Sequence, residues 1–182
     1  MNKSRGFTMI ELMVVIAIVA ILTTIAAPSF KAMLQSNSMT NTVNSFLADM
    51  RYARSEAIRR GGAVVMCRSN LPETTQACNG TSGAANGWLT GWIIFDDLNK
   101  DGVHDAGEPV LRVQGPISGM DSIIEPTSPS YKFRFNATGR LPGTTTTINF
   151  GSSDFPGTVQ RVACVSVGGR ARIAGDGYAS CS

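Results

Sequence analysis

Between positions 7 and 27 nearly every residue is apolar, and beyond Pro28 that block gives way to apolar residues at helical spacing. Phe30, Met33 and Leu34, then Val43, Phe46, Leu47, Met50, Ala53 and Ala57, recur three and four apart, while Asn44, Asp49, Arg51 and Glu56 fall on the other faces. This period predicts one long helix, apolar all round in its first half and amphipathic in its second, with the later stripe as the face that packs a domain. Pro28 interrupts the helix without ending it, as in kinked membrane helices, and Gly61-Gly62 predicts its stop. Residues 7–60 would span roughly 80 Å as a continuous helix.

Past Gly62 the period changes. Tyr131-Lys132-Phe133-Arg134-Phe135-Asn136 alternates and predicts a half-buried strand with Tyr131, Phe133 and Phe135 inward. Further strands are expected at 63–67, 91–95, 109–113, 146–150 and 161–167, with another at 170–174. Short strands separated by Gly, Pro and Asn turns predict an antiparallel sheet, or a small β-sandwich, packed on the helix, which is an α+β fold. The expected organisation is a leader at 1–6, a membrane or filament-core segment at 7–27, an amphipathic segment at 28–60 and a β-rich domain at 61–182.

Composition adds compartment and charge to this pattern. At 182 residues the chain has room for one extracytoplasmic domain behind its N-terminal segment. The formal net charge of +3 is unevenly spread. Residues 96–108 carry five acids and one lysine, a net −4, whereas residues 126–182 carry six bases against two acids, a net +4. Solvated surface is the usual reason for such a bias. Cys67, Cys78, Cys164 and Cys181 lack CxxC spacing and accompanying histidines, so a zinc site is disfavoured. Behind an export signal they read as two disulfides, and of three connectivities the local one, Cys67–Cys78 with Cys164–Cys181, is favoured. Each short loop so closed adds about 3 kcal/mol in the chain-entropy account.

The N-terminus carries the sharpest chemistry. Lys3 and Arg5 precede the apolar run, which is long enough to cross a bilayer, and hold its leading end in the cytoplasm. Glu11 sits inside that run, where a carboxylate costs roughly 2.5–3.5 kcal/mol and normally has a partner. Snorkelling to the near interface is the plain alternative. The segment Arg5-Gly6-Phe7-Thr8-Met9-Ile10-Glu11-Leu12 resembles the class III prepilin signal of type IV pilins and type II secretion pseudopilins. The resemblance implies cleavage after Gly6 by prepilin peptidase, methylation of the new amine on Phe7, and pairing of Glu11 with the N-terminal amine of an adjacent subunit. It also implies an inner-membrane, single-pass protein with a periplasmic domain, later part of an extracellular pilus or a periplasmic pseudopilus among other minor and major pilins.

Further along, the chain resembles the GspH/FimT family of minor pilins and pseudopilins. The residues carrying that likeness are Arg51-Tyr52-Ala53-Arg54-Ser55-Glu56-Ala57, Gly91-Trp92-Ile93-Ile94-Phe95 with residues 105–113, and Gly169-Arg170-Ala171-Arg172-Ile173. No His-supported nucleophile or phosphate loop is present, so an enzyme is disfavoured. Arg170 and Arg172, two apart on a strand, share a face about 6.6 Å apart, a spacing suited to backbone phosphates. A solvated strand edge is the bland reading. The family resemblance raises the other, because FimT-type minor pilins of competent bacteria bind DNA through a GRxR motif matched here by Gly169, Arg170 and Arg172. Arg140 and Arg161 are candidates to extend the patch, with only Tyr178 near for base stacking. The alternative function is a minor pseudopilin of a type II secretion system without DNA binding.

A last candidate is the stretch 97–108, which satisfies the calcium-loop pattern D-x-[DN]-x-[DN]-G-x5-E with Asp97, Asn99, Asp101, Asp105 and Glu108 as oxygen ligands. The same residues build a polar hairpin turn between strands. The turn is the favoured reading, no cofactor is required, and Ca2+ stands as the alternative.

Overall fold

The computed structural model describes residues 7–79, 87–125, 131–143, 145–151, 160–176 and 181. The chain divides into two compact units, Met1–Asn37 and Ser38–Ser182. Helix α1 (Met9–Arg60) runs through Pro28 without a break. In the first unit its apolar side chains are exposed as far as Leu34, and the segment is long and apolar enough to cross a membrane. Two of its hydroxyls are satisfied within the helix: those of Thr23 and Thr24 donate to the Ala20 and Ile21 carbonyls.

In the second unit the helix becomes a core element. Val43, Phe46, Leu47, Met50, Ala53 and Ala57 are buried, the later stripe read from the sequence, and Met39 is buried with them one turn earlier. Phe30, Met33 and Leu34 belong to that stripe by spacing, yet they are exposed within the first unit. The helix ends at Gly61 in a left-handed conformation (φ 64°). Gly61 N–H donates to the Ile58 carbonyl and Gly62 N–H to that of Ala57, which satisfies two of the last orphan acceptors.

Eight strands follow: β1 (Ala63–Arg68), β2 (Trp92–Asp97), β3 (Val110–Gln114), β4 (Ser122–Ile124), β5 (Lys132–Phe135), β6 (Thr146–Gly151), β7 (Arg161–Val165) and β8 (Ala171–Asp176). They form two four-stranded sheets with orders β3-β2-β1-β5 and β4-β6-β7-β8, antiparallel throughout. In the first sheet β1 and β2 are buried at every position, so they lack alternation. One of their faces meets α1; the other covers a small cluster of Val65, Cys67, Ile93 and Phe95 with Cys78 and Val110 against it. The Cys67–Cys78 disulfide (Cα–Cα 5.5 Å) and the His104 ring against Phe95 close that side. Strand β5 alternates as expected for Phe133 and Phe135; Tyr131 lies before the strand, half-buried, under the Lys132 ammonium.

Phe46 centres the main core. Its ring lies 5.2 Å from Trp92 and 6.3 Å from Phe133 of the first sheet, 5.6 Å from Phe150 of the second, and 5.4 Å from Trp88, all edge-on. Trp88 belongs to a short 3-10 turn (Trp88–Thr90) that the sequence reading passes over, as it does β4.

Two residues placed by spacing on polar faces of the helix are in fact buried. Asp49 accepts a 2.8 Å hydrogen bond from the Trp92 indole and faces Arg112 at 3.0 Å. Burial pushes its carboxyl up, and the indole and Arg112 oppose that rise. Glu56 takes Arg59 and Arg60 on one carboxylate, and Arg60 goes on to Asp96 of β2 at 2.7 Å. Partners supplied from elsewhere make both burials affordable.

The Arg59 and Arg60 hydrogen bonds hold the Glu56 carboxyl at about 2, below its ordinary 4.5. A depressed carboxyl stabilises the fold above its unfolded value and loses that contribution as pH falls toward the folded one. Glu56→Gln is therefore expected to be less stable than wild type at neutral pH, with the gap closing between pH 4.5 and about 2 in denaturant titrations. A gap independent of pH would show that these ion pairs contribute nothing.

Candidate functional site

The N-terminal site is built on the first turn of α1. Thr8 N–H and its hydroxyl both donate to Glu11 Oε2 at 3.3 Å, and Glu11 N–H donates back to Thr8 Oγ1 at 3.3 Å. This is a reciprocal capping box, so the carboxylate that the sequence leaves without a partner has local donors and the positive end of the helix dipole. Thr8 is a residue the sequence reading misses, although Thr-x-x-Glu opening an apolar run is itself a capping signature. Phe7 is exposed beside it, and Gly6 lies outside the described residues.

The 97–108 stretch is the hairpin loop between β2 and β3, stitched by its own side chains. Asp97 Oδ2 accepts Gly102 N–H at 3.1 Å and faces Arg134 at 3.4 Å. Asn99 donates to Asp101 and Asp105, and Glu108 accepts N–H bonds from Leu98 and Asp105 on its two oxygens. Lys132 Nζ reaches the Gly102 carbonyl and Arg134 that of Lys100. Burial pushes the Asp97 carboxyl up, and Arg134 opposes it. Of the five expected ligands, Asn99, Asp101 and Asp105 come together, while Asp97 and Glu108 spend oxygens on backbone donors. Among the described residues no three carboxylate, imidazole or thiol groups gather as they would around an ion.

The arginine motif occupies the β7–β8 connection. Gly169 takes a left-handed conformation (φ 73°), its N–H donates to the Ser166 carbonyl, and Ser166 N–H donates to the Arg170 carbonyl. Gly169 is thus a turn former and is itself buried. Arg170 and Arg172 are exposed on either side of buried Ala171, so both point away from the core. Arg172 stands opposite Cys164 of β7, which is disulfide-bonded to Cys181 (Cα–Cα 5.6 Å). Arg161 is in register with Asp176 at the far end of the β7–β8 pair, so it does not extend this patch. Tyr178 lies outside the described residues.

Residues 42–169 match the family described as Type II transport protein GspH, and residues 1–27 match the Prokaryotic N-terminal methylation motif. The Type IV major alpha-pilin of Moraxella bovis is 42% identical over 162 residues, which covers 76% of this chain and 98% of that one. Prepilin peptidase-dependent protein D of Escherichia coli (strain K12) is 40% identical over 62 residues, 34% of this chain; the match spans 42% of that relative's length. The crystal structure of type IV minor pilin FimU from Pseudomonas aeruginosa (strain PAO1) shares the fold, with a TM-score of 0.53 at 20% identity over 78% of this chain and 96% of that one. A long N-terminal helix carrying antiparallel sheets, headed by a methylation motif, defines the class of type IV pilin-like filament subunits. Within that class the chain belongs to the GspH family, a family of structural pilins and pseudopilins.

Proposed function

We propose that this chain is a minor pilin of a type IV pilus, placed at or near the tip, that binds DNA without sequence preference through Gly169, Arg170 and Arg172. The observation that carries the DNA reading is the outward display of Arg170 and Arg172 around buried Ala171, where the turn enters β8, the edge strand of its sheet among the described residues. Two guanidinium groups on one face offer forked donors to successive phosphates and no base-reading pattern. Prepilin peptidase removes residues 1–6 on the cytoplasmic side of the inner membrane, and the amine of Phe7 is methylated. Residues 7–27 anchor the subunit and then join the filament core, with residues 28–60 and the 61–182 domain on the periplasmic side. Glu11 exchanges its Thr8 donors for the amine of a neighbouring subunit during assembly. Retraction then draws bound DNA toward the cell.

A second reading is a minor pseudopilin of a type II secretion system, favoured by the description of the matching family. It shares the anchor and the assembly step and assigns no role to the arginines. In both readings the 97–108 loop is a polar turn held by its own N–H donors and by Lys132 and Arg134, with calcium as the alternative.

Glu11→Ala is expected to leave the subunit in the membrane and out of sheared filaments, as read by immunoblotting; normal incorporation would refute the anchor mechanism. For the full chain in neutral detergent, binding to labelled duplex DNA should weaken with salt, and Arg170→Ala/Arg172→Ala should weaken it at least about ten-fold. An unaltered affinity would remove the motif from the reading, and no binding by the wild type would leave the pseudopilin alternative. Thermal unfolding should have the same midpoint in millimolar calcium and in excess chelator. A midpoint raised by calcium would mean the loop binds it in the folded state.

A further inference from the structure

The β7–β8 turn has a twin. In residues 136–140 the Asn136 N–H donates to the Arg140 carbonyl at 3.0 Å, and Gly139 N–H donates to the Asn136 carbonyl at 2.8 Å. In residues 166–170 the same two bonds join Ser166 to Arg170 at 2.9 Å and Gly169 to Ser166 at 2.8 Å. A third bond matches as well: Arg140 N–H donates to Asn136 Oδ1 at 3.0 Å, and Arg170 N–H to Ser166 Oγ at 3.4 Å. Gly139 and Gly169 both take the left-handed conformation, at φ 70° and 73°. Each turn therefore fixes a glycine in a position that few other residues tolerate and presents an arginine immediately after it.

The twins are pressed together. Leu141 N–H donates to the Val167 carbonyl at 2.9 Å. A Cβ placed on Gly169 would fall 2.1 Å from the Gly139 carbonyl oxygen. Arg54 of α1 lies across both, its Cγ and Nε 3.0 Å from a Cβ position at Gly139 and its Cδ 3.4 Å from one at Gly169. Three elements distant in sequence thus bring Arg54, Arg140 and Arg170 to one place. Arg140 and Arg170 are exposed and Arg54 half-buried. Among the described residues none of the three forms a salt bridge, whereas Arg59, Arg60, Arg112 and Arg134 all do. Like charges on adjoining elements repel one another when no salt bridge offsets them, and the turns, closed through backbone and Asn136 or Ser166 groups, need no charge in the last position.

The geometry points to a single phosphate-binding surface in which Arg140, backed by Arg54, works with Arg170 on the sugar–phosphate backbone of DNA. This rests on the DNA reading above and adds to it two residues that lie outside the Gly169–Arg172 stretch. The guanidinium of Arg140 makes a direct phosphate contact. The stem of Arg54 packs the two glycines, and its charge adds to the field of the pair.

The experiment compares Arg140→Gln, Arg54→Met and Arg54→Lys with wild type and with Arg170→Ala/Arg172→Ala. Full chains in neutral detergent are titrated with a fluorescent DNA duplex over a salt series. Arg54→Met keeps the packing stem without the charge, and thermal unfolding checks that each variant is folded. Arg140→Gln and Arg54→Met should each bind roughly five- to ten-fold more weakly, with the slope of log affinity against log salt reduced by about one for Arg140→Gln. Arg54→Lys should retain most of the affinity. If Arg140→Gln and Arg54→Met keep wild-type affinity and slope while the Arg170/Arg172 double variant loses binding, the joint surface is refuted and the motif alone binds DNA. If the wild type does not bind, the DNA reading itself fails, and this inference with it.

Discussion

The ring of Phe46 is the constraint on which the β-structure depends. Each sheet has its own hydrogen-bond ladder, and among the described residues the ladders do not join. The two sheets meet instead through side chains, and Phe46 touches Trp92 and Phe133 from one and Phe150 from the other. Edge-on aromatic pairs contribute about 0.5–1.5 kcal/mol each beyond the area they bury. Three residues further on, Asp49 fixes the helix by a directional bond to the Trp92 indole, so the packing has one rotational setting and one register. From there the helix repeat dictates the rest: Arg54, five residues past Asp49, arrives against Gly139 and Gly169.

Much of the architecture was legible because its signals are periodic. An apolar block, a 3.6-residue stripe and a stop at two glycines define α1, and alternation finds β5. Strand β4 is three residues long between acidic neighbours, too short for a period to register. Asp49 and Glu56 read as surface residues because their burial depends on Trp92, Arg112 and Asp96, contributed by strands far along the chain. Arg140 could not be assigned from sequence for the same reason: its neighbour is a turn formed by residues 166–170, and only the fold brings the turns together. The Thr8–Glu11 cap is the opposite case, wholly local and readable in four residues, yet overshadowed by the apolar run that follows it.

One helix answers to two environments. Up to Leu34 its side chains are exposed, apolar and suited to lipid or to other helices; from Met39 they are interleaved with tryptophan and phenylalanine. The change happens within a single helix, in which the Thr23 and Thr24 hydroxyls are turned onto the carbonyls of Ala20 and Ile21, one turn back, and so present less polar surface to a bilayer. The domain holds its own core within Ser38–Ser182, independent of the exposed apolar half of the helix.

The disulfides have a mechanical consequence. Cys67–Cys78 closes a loop beside β1, and Cys164–Cys181 fastens the C-terminal segment to β7. Neither bridges α1 to a sheet, nor one sheet to the other. The covalent path from α1 into the sheets is the backbone itself, through Gly61-Gly62 into β1; across the packing face the helix is held by noncovalent contacts alone, above all Phe46, Asp49–Trp92 and Arg60–Asp96. No cross-link clamps the helix face to either sheet, so the two can part there without breaking a covalent bond, while the disulfides constrain only the segments they close.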